Sequence, residues 1–208
     1  MEIGIIGTGS MGRALADALS DAGHSIMLGS RSRERGLEAA EEFGDAVSGG
    51  SNQEAADFAD MIVLAIPFDA CGEIIHGCGR LEGKIVIDIT DPIDIEELRV
   101  TLDNDTSGGE EVAKLTPGAA VVKAFNMVHA EVVENPDFGD DAPTCFYCGD
   151  DEGAKARVAE LIEDCGLDPV DCGPLRASRY LEAMAGLLVQ LSAKMGRGVD
   201  NAFLFVER

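Results

Sequence analysis

An α/β fold built on a doubly wound Rossmann sheet of mostly parallel strands is predicted by three features of the chain. The first is the glycine turn Gly7-Thr8-Gly9-Ser10-Met11-Gly12, placed directly after the apolar run 3–6. The second is a pair of continuous apolar runs, 61–66 and 85–89, closed by Pro67 and by Asp91-Pro92. Such runs suit central parallel strands covered on both faces. The third is the alternation of these runs with stretches of helical period, which implies right-handed crossovers between neighbouring strands.

The run 3–6 reads as a first strand and the glycine turn as its exit into a helix. Gly7 permits a sharp turn, Gly9 lets the backbone come close to a diphosphate, and Gly12 lets the helix sit tightly on the strand. The diphosphate would meet unpaired N–H groups at the helix start. Ala14, Leu15, Ala18 and Leu19 form the sheet-facing side of that helix, and Gly23 stands where a C-cap glycine would. Residues 25–29 make the second strand. An acid at its end would accept hydrogen bonds from a free ribose 2′-hydroxyl. Ser30 and Arg31 stand there instead, followed by Arg33 and Arg35, in a chain of formal charge −23. A hydroxyl and a guanidinium suit a 2′-phosphate. NADP(H) is therefore expected over NAD(H), with Arg31 and Arg35 as contacts ahead of Arg33. The alternative for these arginines is surface pairing with Glu34, Glu38, Glu41 and Glu42.

The alternation continues with a helix over 37–43, a short strand at Ala46 and Val47, and a helix capped by Ser51 or Asn52 that reaches Ala59. Strand 61–66, helix 71–78 and strand 85–89 follow. Residues 93–107 are polar and acidic, with Asp103-Asn104-Asp105 at the tip, and read as a mobile loop. Helix 110–115 and strand 119–125 complete an expected NADP-binding domain over residues 1–142. Residues 143–208 read as a small C-terminal α/β domain: strand 144–148, a helix carrying Val158, Leu161, Ile162 and Cys165 and ended by Gly166, and a brief strand at Pro169 and Val170. Ser178 is expected to cap the last helix, 178–195, whose Leu181, Met184, Leu188, Leu191 and Met195 form one apolar seam. That seam packs on its own domain or, with Leu187, on a second copy in a homodimer. The tail 203–206 should dock.

Composition narrows the function. Asp and Glu number 39 against 16 Lys and Arg, which argues against binding nucleic acid or an anionic membrane. The acidity suits a solvated, salt-tolerant surface. No apolar run reaches the roughly 18 residues of a membrane span, and the chain enters a strand at once, so a cytoplasmic location is expected. Cys145 and Cys148 form a CxxC, but in a strand they point to opposite faces and cannot easily chelate one metal, so small hydrophobes are favoured over zinc or a redox pair. All six cysteines read as small hydrophobes, and no metal site is expected.

Ligands of an open α/β sheet bind outside the carboxyl ends of its strands. The candidates are Thr8, Ser10 and Met11, then Ser30, Arg31 and Arg35, then Ala65, Ile66, Pro67 and Phe68, the segment 90–92, and Asn126, Met127, Val128 and His129. Ile66-Pro67-Phe68 is a rigid apolar turn suited to lie along a nicotinamide, and residues 126–129 could grip a flat polar ring. His24 and His76 read as solvated, leaving His129 as the histidine placed at the site. Serine-hydrolase and zinc-protease motifs are absent, and no residue is assigned a catalytic role. Hydride transfer between two stacked rings depends on positioning and exclusion of water, and would leave few titratable groups behind.

Taken in order, GIIGTGSMGRALA, LGSRSRERG, VLAIPF, KIVIDITDP, VVKAFN, CGDDEGAKARV and VDCGPLRASRYLEAM resemble the coenzyme F420-dependent NADP oxidoreductases across essentially the whole chain. The resemblance implies a homodimer whose Rossmann domain binds NADP(H) and passes a hydride between nicotinamide and the deazaflavin. It implies contacts to NADP from Thr8, Ser10, Met11, Ser30, Arg31 and Arg35, with residues 66–68 on the nicotinamide side. Family members with deazaflavin activity tend to carry a His where Asn126 aligns. VVKAFN is also similar to bacterial relatives and to the cytosolic domain of the six-transmembrane metalloreductases. Reduction of a flavin or ferric chelate, and a non-catalytic NADP(H) sensor, are the alternative functions. Pyrroline-5-carboxylate reductase shares a similar glycine turn but not the C-terminal helices.

Overall fold

Alternating side chains on each strand build the core on both faces of one sheet. The computed structural model describes residues 1–208 apart from Ile95, Leu98 and Asn104. In β1 (Glu2–Ile6), β4 (Met61–Leu64) and β5 (Ile85–Asp88), Ile3, Ile5, Met61, Val63, Ile85 and Ile87 enter one apolar cluster, while Ile6, Ile62, Leu64 and Val86 enter another. This is the period-two pattern of a sheet covered on both sides. The first cluster lies under α1 (Ser10–Asp21) and α7 (Glu152–Asp164), and the second under α3 (Asn52–Phe58), α4 (Cys71–Gly77) and α5 (Gly108–Leu115).

The remaining strands are β2 (Ser25–Ser30), β3 (Val47–Ser51), β8 (Ala120–Lys123), β9 (Thr144–Gly149) and β10 (Asp168–Asp171). They complete an eight-stranded sheet in the order β10-β9-β8-β5-β4-β1-β2-β3. Every pairing is parallel except β8 with β9, where Lys123 faces Cys148. The C-terminal segment thus extends the same sheet. The chain reverses direction across the sheet at β1, so the open crevice lies beyond the carboxyl ends of β1 and β4.

Several elements differ from their expected form. The helix expected over 37–43 is α2 (Arg33–Ala40), because Ser32 caps it by accepting from the Arg35 N–H at 3.3 Å. Gly36 of α2 meets β3 so closely that a Cβ would lie 2.0 Å from the Gly50 carbonyl oxygen. The 93–107 segment, expected to be a loop, contains a short antiparallel ribbon of β6 (Ile93–Asp94) and β7 (Arg99–Val100). Asn104 of its expected tip lies outside the described residues. A short helix, α6 (Ala130–Glu134), follows the 126–129 segment without having been expected. Ser178 does not cap α8 (Ser178–Val189): its buried hydroxyl donates to the Leu175 carbonyl at 2.6 Å, and a 3-10 turn, Leu175–Ala177, leads in. A π-type turn, Gln190–Lys194, then ends the helix and breaks the expected seam. Leu181 and Leu188 are buried in the chain's own core, whereas Leu187 and Met195 are exposed. The tail docks through Phe203, whose carbonyl accepts from the Thr144 N–H at 2.9 Å, and through Phe205, which stacks edge-on to Phe146.

His24 corrects the expectation of a solvated side chain. It is buried, with Nδ1 at 2.8 Å from the N-terminal amine and Nε2 at 2.8 Å from Asp164 Oδ2, which ties β1 to the end of α7. His76 is exposed. Cys145 and Cys148 join different apolar clusters, as strand geometry requires, and the six cysteines are free thiols. Among the described residues no cluster of His, Cys, Asp and Glu could hold a metal, and no helix is long and apolar enough to cross a membrane.

Candidate functional site

The glycine turn divides its duties between fold and ligand. Gly7 adopts φ +119°, and a Cβ there would lie 2.1 Å from the Ala65 carbonyl oxygen. At Gly12 a Cβ would lie 2.2 Å from the Gly7 carbonyl oxygen, so both positions are held by packing of β1, α1 and the end of β4. Gly9, by contrast, has nothing within 4 Å of its added Cβ. The fold does not need glycine there, and the open space lies over the start of α1. Arg13 braces the turn from behind, donating to the Thr8 carbonyl at 3.1 Å and pairing with Glu42.

Two clefts open along this edge and share Gly9, Ala65, Ile66 and Pro67. The first, about 360 Å³, runs from Gly7 and Thr8 to Ser30, Arg31 and Arg35 and is closed by Asn52, Ala70 and Ile74. Arg33 points elsewhere and pairs with Glu54 at 3.0 Å. Among the described residues Arg31 and Arg35 make no ion pair, so two cations face a cleft in a strongly acidic protein. The second cleft, about 340 Å³, is lined by Ser10, Met11, Phe68, Ile89, Thr90, Asp91, Phe125, Asn126 and Val128.

Phe125 sets the geometry of this second wall. It is buried with φ +59°, the non-glycine residue with positive φ among those described. Such a backbone is strained for an aromatic residue and persists only where its surroundings impose it. It turns the chain after β8 so that Asn126 and Val128 reach the cleft. Met127 instead packs with Cys148, Leu181 and Ala185 in a third apolar cluster. His129 likewise does not line the cleft: its Nε2 lies 2.7 Å from the Ser192 hydroxyl, and burial lowers its pKa despite Glu131 nearby. The four-residue segment expected to grip a ring therefore contributes two residues, Asn126 and Val128.

Beneath the second cleft sits a buried charge cluster. Lys123 is fully buried and bonds Asp88 Oδ2 and Glu182 Oε1, each at 3.0 Å, and the Thr90 carbonyl. Burial alone would lower its pKa, but Asp88, Asp91 and Glu182 outweigh it and hold the ammonium above its ordinary value. Glu182 also accepts from the Gly108 and Gly109 N–H groups at 2.9 and 3.1 Å, pinning α8 to the start of α5. Asn126 Nδ2 donates to Asp91 Oδ1 at 2.9 Å.

Three buried side-chain atoms among the described residues lack a hydrogen-bond partner: Asn52 Oδ1, Thr90 Oγ1 and Asn126 Oδ1. All three belong to residues lining the two clefts. An unpaired buried polar atom costs about 1–3 kcal/mol, so their coincidence along one crevice is a cost that a polar ligand would relieve. The pair of clefts accordingly fits a dinucleotide: open backbone at Gly9, cations at one end, apolar and amide groups at the other. Asn52 and Phe125 were not expected at the site, and Thr90 and Asp91 were expected only by their position after a strand. No motif flags any of them, since Asn52 reads as a helix cap and Asp91-Pro92 as a turn.

Comparison with known proteins places the chain in a family. The family model described as NADP oxidoreductase coenzyme F420-dependent matches residues 2–92. An F420-dependent NADP reductase of Methanocaldococcus jannaschii is 33% identical over 210 aligned positions that cover 93% of each chain. Metalloreductase STEAP3 of Rattus norvegicus is 31% identical over 88% of this chain, which spans 36% of that longer protein. Among solved structures, an F420-dependent NADP-reductase candidate from Arthrobacter sp. FB24 superposes with a TM-score of 0.85 at 29% identity, covering 95% of this chain and 96% of its own. Sequence similarity along nearly the full length leads to one assignment: the chain belongs to the coenzyme F420-dependent NADP oxidoreductase family, related to the cytosolic domains of the STEAP metalloreductases, and is an NADP-dependent oxidoreductase.

Proposed function

We propose that the protein transfers a hydride between NADPH and the deazaflavin coenzyme F420. The observation that carries this reading is the meeting of the two clefts at Ile66 and Pro67, with unpartnered polar atoms on either side. Backbone N–H groups around Gly9, with Thr8 and Ser10, would hold the diphosphate. Ser30, Arg31 and Arg35 would hold the 2′-phosphate, and Asn52 Oδ1 would accept from the adenosine half. Ile66, Pro67 and Phe68 would lie along the nicotinamide, with Met11 beneath it. Asn126 and Val128, which line the second cleft, would form the opposite wall, press a second ring against the first and exclude water. NADPH supplies the two-electron hydride chemistry when bound.

A second reading, reduction of a free flavin or ferric chelate, is favoured by the similarity to metalloreductase STEAP3. One assay separates the two. Oxidation of NADPH by the purified chain is followed with F420, FMN and ferric chelate in parallel, and the expected result is turnover with F420 that exceeds both others. Turnover with FMN or ferric chelate alone would replace the deazaflavin assignment. In the same assay Val128→Trp, which pushes the rings apart, should lower F420 turnover with NADPH binding retained.

A further inference from the structure

We propose that Asp91 is the acid that gives a proton to the acceptor ring as it is reduced, a role that rests on the hydride-transfer reading of the site. Asp91 follows β5 and lines the second cleft beside Thr90, Phe125 and Asn126. A charge count identifies where a proton resides. Lys123, the one ammonium, pairs with Asp88 and Glu182 at 3.0 Å each, and a third carboxyl, Asp91, makes no ion pair with it but acts on it electrostatically. Asp88 is bonded by Lys123 and by the Thr90 N–H at 2.9 Å, and Glu182 by Lys123 and two backbone N–H groups. Asp91 has the fewest donors: among the described residues only Asn126 Nδ2 donates to it, at its Oδ1, leaving Oδ2 for a proton. If all three ionised, the cluster would carry two excess negative charges away from full solvent, so the carboxyl with the fewest donors, half-buried Asp91, retains the proton.

The direction of its titration agrees. Burial raises the Asp91 pKa well above the ordinary carboxylate value; Lys123 and Asn126 oppose this, while Glu182 and Asp88 reinforce it. The transfer balances simply. An acceptor ring that receives a hydride at carbon, with its two electrons, becomes an anion. The Asp91 O–H bond breaks, an N–H bond forms at a conjugated nitrogen of that ring, and the neutral reduced ring leaves a carboxylate beside Lys123. Solvent returns the proton through the cleft mouth. In the opposite direction the carboxylate takes the proton back. Asn126 follows Asp91: its amide N–H donates to Asp91 Oδ1 and leaves its own oxygen unpartnered, and with Asp91 protonated it can turn its N–H groups toward a ring carbonyl.

Two independent readouts test the assignment. The first uses the ligand-free protein labelled with carboxyl-¹³C aspartate. One resonance should titrate well above the ordinary aspartate range and vanish in both Asp91→Asn and Asp91→Glu. Titration of Asp91 in the ordinary range overturns the proposal whatever the enzyme reduces. The second is steady-state turnover. Asp91→Asn should reduce F420 about 10²- to 10⁴-fold more slowly, with NADPH affinity kept within about twofold. The parent rate should fall as pH rises through the Asp91 pKa, and that limb should be absent from the Asn variant and regained in Asp91→Glu. Parent turnover with an unchanged rate and pH limb in Asp91→Asn overturns the proton transfer alone. A parent inactive with every acceptor overturns the hydride-transfer reading and the transfer with it. Should Asp91→Asn fail to fold, the resonance and the Asp91→Glu profile decide.

Discussion

Removing Arg31 should convert the cofactor preference of this protein from a phosphate-dependent one to a weaker, less selective one. Arg31 lines the first cleft without an internal ion pair among the described residues, so Arg31→Ala breaks no ion pair of the folded chain. The whole effect falls on the ligand. A hydrogen bond to a charged group contributes about 1.5–3 kcal/mol. Arg31 is exposed, and solvent screening favours the lower part of that range. A loss of about 1.5–2 kcal/mol corresponds to a roughly 10- to 30-fold weaker NADPH complex, since each 1.4 kcal/mol is tenfold. NADH, lacking the 2′-phosphate, should lose less than about twofold on the same scale. Arg33→Ala provides the matched control, because Arg33 is already engaged by Glu54 at 3.0 Å. Titration calorimetry with NADPH and NADH, repeated at low salt and at molar salt, measures all of this, and the Arg31 effect should shrink as salt rises. Equal losses for both cofactors, or an Arg33→Ala loss as large as that of Arg31→Ala, would refute the phosphate assignment.

The other expectations concern the turn, the assembly and pH. Gly12→Ala must displace the Gly7 carbonyl from 2.2 Å, an overpacking cost of about 1–3 kcal/mol that should lower Tm by about 2–12 °C. Gly9→Ala, with nothing within 4 Å, should leave Tm unchanged and weaken NADPH; a lowered Tm there would return Gly9 to a structural role. Light scattering should find a homodimer that Leu187→Glu dissociates without loss of helicity, since Leu187 is exposed in the single chain, whereas Leu181→Ala should cost about 2–5 kcal/mol of stability. A monomeric parent would leave Leu187 an ordinary surface residue. His129 has its pKa lowered by burial, so its contribution to stability is present above the unfolded histidine pKa and is lost as pH falls through the folded value. His129→Gln should therefore lose less Tm than the parent between pH 7.5 and 5, and an equal loss would mean that the ring is free to protonate.

The glycine turn, the apolar strands and the arginines after β2 were legible because each rests on local chemistry: φ freedom, two-faced burial, charge at a known offset. Residues 126–129 were legible only as a segment. Which side chains reach the cleft depends on the positive φ of Phe125, and a phenylalanine in sequence carries no sign of one. In sequence the seam of α8 is continuous, but the π-type turn at Gln190–Lys194 interrupts it, and Ser192 in that turn bonds His129. His24 looked solvated because its partners, the N-terminal amine and Asp164, are remote in the chain.

By itself the sequence determined the α/β class and the membership of an NADP-dependent family, both properties of short segments and of their order. Only the tertiary structure decided the acid of the site. Asp91 is an ordinary turn residue until Lys123 from β8, Asp88 from β5 and Glu182 from α8 are gathered around it. Burial and the number of donors, which no local pattern encodes, then set which carboxyl keeps its proton.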